Sequence, residues 1–332
     1  MKKILSLSLV LLMMFSVLSL AGCGKAEPLK MGIGITAQIS EIKNADGETD
    51  GSADSVATFA AVLLDKDGKI VKCAIDTANN ALAFTSEGKA VAAGELPTKG
   101  EKGDNYGMKA YGGAKKEWYE QADAFAALVK GKTAQDVKAL VATDGKGNTD
   151  VVNAGCTIYV TDFVKAVEEA INNAKESSAK EGDVLKLGII STQSGKDATE
   201  EAEGSNTVDV TVSAVAIKDG KVTAIVTDAI SESITFDTKG VSKVAANTEL
   251  KTKAELGDNY NMAAYGTDLN GDGTVKEWYA QADAFDTACV GKTADEISAL
   301  AADKGYGVEA LQTAGCTINV ADMVKAAVKA AK

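Results

Sequence analysis

The chain has 332 residues, with 35 Lys+Arg against 47 Asp+Glu for a formal charge of −12, and it contains neither Arg nor His. Hydrophobic residues make up 45% and charged residues 25%, the balance of a packed chain and not of a disordered one. The missing side chains exclude Ser-His-Asp and Cys-His catalysis, leave only Cys and carboxylates as transition-metal ligands, and argue against a nucleic-acid partner.

Lys2 and Lys3 precede an apolar run from Ile4 to Leu20, the pattern of a secretory signal, and no later stretch approaches that length. The run ends in Leu20-Ala21-Gly22-Cys23, which resembles the bacterial lipobox. That resemblance implies removal of residues 1–22, lipid on Cys23, and a body held by acyl chains at the extracytoplasmic face of the bacterial cell membrane. Residues 23–29 then read as a tether.

The remainder is written twice. Lys30-Met31-Gly32-Ile33 answers to Lys186-Leu187-Gly188-Ile189, and Gly103-Asp104-Asn105-Tyr106 is identical to Gly257-Asp258-Asn259-Tyr260. Lys116-Glu117-Trp118-Tyr119 matches Lys276-Glu277-Trp278-Tyr279, and Ala154-Gly155-Cys156-Thr157-Ile158 matches Ala314-Gly315-Cys316-Thr317-Ile318. Units this long predict two duplicated domains, residues 30–175 and 186–332, with a linker at 176–185. Val56 to Leu64 and Lys69 to Ile75 read as strands about Asp67-Gly68, and Val208 to Ile217 and Val222 to Val226 as strands about Asp219-Gly220. Trp118, Ala122, Phe125 and Val129 fall at helical spacing, as do Trp278, Ala282, Phe285 and Cys289. Thr133 and Thr293 start short helices, and a closing helix follows at Asp162 and at Asp322. The fold class is α+β: in each copy an antiparallel sheet with helices packed on it.

Several motifs offer chemistry. Cys73 and Cys289 align with Ile225 and Val129, so each reads as a small buried hydrophobe; Cys156 and Cys316 are shared, and no Cys-x-x-Cys occurs. Gly131-Lys132-Thr133 and Gly291-Lys292-Thr293 lack the earlier glycine of a phosphate loop and read as a helix end followed by an N-cap. Asp268, Asn270 and Asp272 with Gly273 resemble the first half of a calcium loop, but position twelve is Tyr279 where a Glu is expected, so Ca2+ is a weak expectation. Gly-Asp-Asn-Tyr is either a self-bonded turn or a ligand loop in which Tyr106 and Tyr260 stack on a planar ring and Asp104 and Asp258 meet its polar edge. Asp104 with Glu117 is the carboxylate pair a hydrolase would need, although the spacing alone gives it no geometry.

Ala-Gly-Cys-Thr-Ile before each closing helix presents a hydroxyl after a glycine that permits close approach. With the Asp-Gly hairpin and the helical insertion, this order of elements resembles the FMN-binding domain family of bacterial flavin carriers and electron-transport complexes. The family motif is Ser or Thr, Gly, Ala, Thr, and a flavin transferase joins FMN through its phosphate to the final Thr. The resemblance implies covalent FMN on Thr157 and Thr317, approach permitted by Gly155 and Gly315, and redox partners outside the membrane. Here the first motif position is Ala154 or Ala314, the third is Cys, and the family's Asp six residues before the Thr is Val151 or Leu311. The alternative is a cofactor-free envelope binding or scaffold lipoprotein.

Overall fold

The computed structural model describes residues 27–93, 96–266 and 275–332. Three long strands open the chain, β1 (Pro28–Lys43), β2 (Gly51–Leu64) and β3 (Ile70–Phe84), followed by the two-residue β4 (Ala90–Val91). Six helices follow: α1 (Lys99–Lys102), α2 (Met108–Gly112), α3 (Trp118–Leu128), α4 (Ala134–Lys138), α5 (Thr149–Ala154) and α6 (Thr161–Asn172). After β5 (Lys175–Lys180) the order recurs with β6 (Val184–Lys196), β7 (Gly204–Lys218), β8 (Lys221–Phe236) and β9 (Thr248–Leu250). The second set of helices is α7 (Lys253–Leu256), α8 (Met262–Tyr265), α9 (Trp278–Cys289), α10 (Ala294–Ser298), α11 (Glu309–Thr313) and α12 (Ala321–Ala331). The class is α+β, and every strand pairing is antiparallel.

Two sheets stand face to face between outer layers of helices. One has the order β4-β3-β2-β1-β5 with β9 also on β1; the other is β6-β7-β8. Alternation decides which residue faces which layer. Ala57, Phe59, Ala61 and Leu63 of β2 point inward and meet Val208, Val210, Val212 and Ala214 of β7 in one apolar core between the sheets. Ala60, Val62 and Leu64 point outward to α3 and α6, whereas Val215 and Ile217 point outward to α9 and α12. The alternation expected for β7, one dry face and one wet, therefore holds only at its start; further along, the helices bury both faces.

The two halves are cross-stitched. The β9 segment of the second half pairs with β1 of the first, Ala37 opposite Leu250. Asn206 donates to the carbonyls of Ala83 (2.8 Å) and Val91 (3.0 Å), and the Phe84 and Phe236 rings stack at 4.7 Å. The expected linker is in part a strand: Lys175–Lys180 extends the first sheet along β1. The expected tether likewise gives way to β1 at Pro28. Gly32 and Gly34 let β1 lie against α6, since a Cβ on either would collide with the Ala170 or Ala166 carbonyl. Gly188 plays the same part against Ala326, which accounts for the repeated Lys-x-Gly-Ile motif.

Candidate functional site

Each threonine turn is built on the first turn of the longer helix before it. Glu117 is the N-cap of α3 and is buried; its carboxylate accepts the Met108 (2.8 Å) and Lys109 (3.0 Å) amides. Glu277 does the same for Met262 (2.9 Å) and Ala263 (3.1 Å). Both oxygens of Glu117 are thus committed to backbone amides, which leaves the Asp104 and Glu117 pair without acid–base work to do. One turn on, Gln121 and Gln281 are each 1% exposed. Gln121 Oε1 accepts both the amide (2.8 Å) and the hydroxyl (3.0 Å) of Thr157 while its Nε2 donates to the Lys116 carbonyl (3.1 Å). Gln281 repeats this with Thr317 at 2.7 and 3.1 Å and with the Lys276 carbonyl at 2.8 Å.

Gly155 and Gly315 end α5 and α11 in the left-handed region, at φ of +98° and +97°. The left-handed backbone favours glycine there, and a lysine tip fills the space over it. A Cβ on Gly155 would collide with the Lys116 ammonium, and one on Gly315 with that of Lys276. The lysine of each Lys-Glu-Trp-Tyr motif therefore lies across the glycine of each Gly-Cys-Thr motif. Thr157 is exposed and Thr317 half-buried. With its proton directed inward to glutamine, each hydroxyl oxygen keeps its lone pairs for the outside, two residues from the glycine that a lysine covers. The closing helices do not supply that positive charge: α6 starts at Thr161 and α12 at Ala321, four residues beyond the threonines. Val151 and Leu311, where the family has an acid, are buried in the helical layers.

The Gly-Asp-Asn-Tyr turns are short 3-10 segments at Gly103–Tyr106 and Gly257–Tyr260. Lys99 Nζ sits 5.5 Å from the Tyr106 ring and 5.9 Å from the Trp118 ring; Lys253 stands at 5.5 and 5.8 Å from Tyr260 and Trp278. Asp104 and Asp258 are exposed and accept the hydroxyls of Tyr119 (3.2 Å) and Tyr279 (3.1 Å). The tyrosines of this motif thus lie against lysine, and its aspartates accept from a helix tyrosine and not from their own turn. More exposed rings stand nearer the threonines. Tyr159, 69% exposed, lies two residues past Thr157 on a bridge with Lys146; in the second half the matching bridge pairs Tyr306, 40% exposed, with Asn319. The ring comes from opposite sides of the bridge in the two halves, which is why aligning the repeats hides it. Lys116, Lys276, Gln121 and Gln281 were also missed, although all four lie inside repeated motifs that point to them.

The described thiols are held protonated. Burial pushes Cys156 up to about 11 and Cys73 and Cys316 up to about 12, and all the described cysteines are unpaired. Cys23 and the calcium candidates Asp268, Asn270 and Asp272 lie outside the described residues. Among the described residues no group of three His, Cys, Asp or Glu could hold a metal, and no helix is long and apolar enough to cross a membrane. Comparison of the chain with family models, with curated proteins and with solved structures finds no match in any of the three.

Proposed function

We propose that this chain is a lipid-anchored carrier of covalent FMN at the outer face of a bacterial membrane, built from two copies of an FMN-binding-like domain with attachment points at Thr157 and Thr317. One observation carries the reading: the same lysine, glycine, threonine and glutamine are assembled in the same way in both halves. The residues fit the phosphoryl end of the group. Lys116 and Lys276, which lie over Gly155 and Gly315, would balance its charge, and Gln121 and Gln281 hold each threonine by its amide whether or not the hydroxyl still has its proton. Tyr159 and Tyr306 are the exposed rings on which a planar ligand would lie. Bound FMN would supply electron transfer at its ring system, and the protein would keep it from diffusing away. Co-expression with a flavin transferase followed by intact-mass measurement and an absorbance scan is the test. Two FMN additions, lost in Thr157→Ala with Thr317→Ala, support the proposal, and a colourless polypeptide of unmodified mass overturns it.

A second reading, a cofactor-free envelope binding protein, draws on a different observation. A cavity of about 870 Å³ between β5, β8 and α9 reaches neither threonine.

A further inference from the structure

Each half opens on a strand that pairs with the next strand on one side and turns its other side outward. The matching stretches are Lys30-Met31-Gly32-Ile33 of β1 and Lys186-Leu187-Gly188-Ile189 of β6, preceded by Leu29 and Leu185. In both, the odd-numbered residues turn their amides and carbonyls to the outer edge. Ser177 Oγ donates to the Leu29 carbonyl (2.6 Å) and Asn173 Nδ2 to the Ile33 carbonyl (3.3 Å), while Lys329 Nζ donates to the Ile189 carbonyl (2.7 Å). A side chain from the end of each closing helix thus stops the edge at the same residue. What lies before that residue differs between the halves.

On β1 the stretch is covered. The β5 strand pairs with it antiparallel, with Met31 opposite Lys175 and Lys30 opposite Glu176, and Lys30 Nζ stands 3.4 Å from the Glu176 carboxylate. Ala179 of β5 joins the core between the sheets, and Leu29 and Met31 are only 5% and 1% exposed. On β6 no strand pairs with the outer side among the described residues. There the outer amides and carbonyls of Leu185 and Leu187 have no hydrogen-bond partner, and the exposed Lys186 forms no ion pair, among the described residues. Leu185 and Leu187 stay half-buried at the rim of the same core, and Val184 is 48% exposed. The edge that grips β5 in the first half is therefore repeated in the second, leucine for leucine and lysine for lysine, without the strand.

We propose that this outer edge of β6, residues 184–187, is a docking site for an extended segment of another protein. The segment adds antiparallel as a fourth strand, with small side chains at the rim by Leu185 and Leu187 and a carboxylate opposite Lys186. Its main chain takes the free amides and carbonyls, which any extended segment can do, while the rim and Lys186 select among segments. The chemistry is that of β5, whose Ala179 and Glu176 fill these roles on β1. A second copy of this chain is a poorer occupant. Pairing β6 with β6, Leu185 opposite Leu187, sets two Lys186 side chains directly against each other.

The test is nuclear magnetic resonance on the purified full chain, titrated with the capped peptide Ala-Lys-Glu-Ser-Ser-Ala-Lys, the sequence of residues 174–180. In the free chain the Leu185 and Leu187 amides should exchange quickly with solvent and the Met31 amide slowly. Saturating peptide should shift the Leu185 and Leu187 amides and slow their exchange by about tenfold or more. A peptide with Lys in place of its Glu should bind about threefold more weakly, as expected for an exposed ion pair, and Lys186→Glu in the chain should invert that preference. No saturable shift of these two amides at millimolar peptide overturns the proposal, and so does binding indifferent to both charge reversals. A free chain that is dimeric, with both amides already protected, overturns it in favour of a second copy. None of these failures touches flavin attachment at Thr157 and Thr317.

Discussion

Replacing Glu232 by Gln tests how the layer between the sheets is held. Glu232 is fully buried on β8, where the Ser55 hydroxyl of β2 donates to its Oε2 and its Oε1 has no partner among the described residues. Burial lifts its carboxyl from an ordinary 4.5 to about 7, against a smaller opposing pull from Ser55. The folded protein therefore keeps a proton that the unfolded chain gives up between those two values. Stability contributed by the protonated carboxyl is complete below pH 4.5, falls as pH rises, and is lost by about 7. The gap corresponds to about 3 kcal/mol. Gln has the same shape, still accepts from Ser55, and does not ionise. Denaturant titrations of wild type and Glu232→Gln should nearly coincide at pH 4.5, whereas at pH 8 the variant should be more stable by about 3 kcal/mol, or roughly 5 °C in Tm. An equal gap at both values would show that this carboxyl is not held protonated in the core.

Gly32→Ala should destabilise by about 3 kcal/mol, because the new methyl meets the Ala170 carbonyl and not a side chain that can turn away; an unchanged Tm would refute the close approach of β1 to α6. Iodoacetamide at pH 8 should leave the fully buried Cys156 and Cys316 unlabelled in the native protein and label them after denaturation; rapid native labelling of either would contradict the raised thiol values. On the flavin proposal, Thr157→Ala and Thr317→Ala should each remove one FMN mass and keep the other; loss of both in either single variant would tie the two sites together.

Much of the local structure could be read from residue spacing. The two Asp-Gly hairpins, the Trp118, Ala122 and Phe125 face of α3 continued by Val129 at its C-cap, and the Thr133 and Thr293 caps all form. These depend on near neighbours in the chain. What escaped depends on distant partners. Nothing in the alternation of Val208, Val210 and Val212 says whether that face meets a helix or a second sheet, and it meets a sheet. Lys175–Lys180 is polar and reads as a connection, yet it forms strand pairs with an edge that only the folded β1 provides. At the threonines, the hydroxyl residues could be singled out from the repeats, while Gln121 and Lys116 entered only once α3 had been brought against the turn.

The exchange of β9 onto β1 has a consequence for how such a chain matures. Residues 28–84 complete the first three strands, but Ala57, Phe59, Ala61 and Leu63 then show a bare greasy wall to water. Its cover, Val208 to Ala214, is made more than a hundred residues later, and the strap at Thr248–Leu250 later still. A nascent chain cut short before β7 would be sticky and not merely smaller. The first half depends for its solubility on a sibling that has yet to be synthesised.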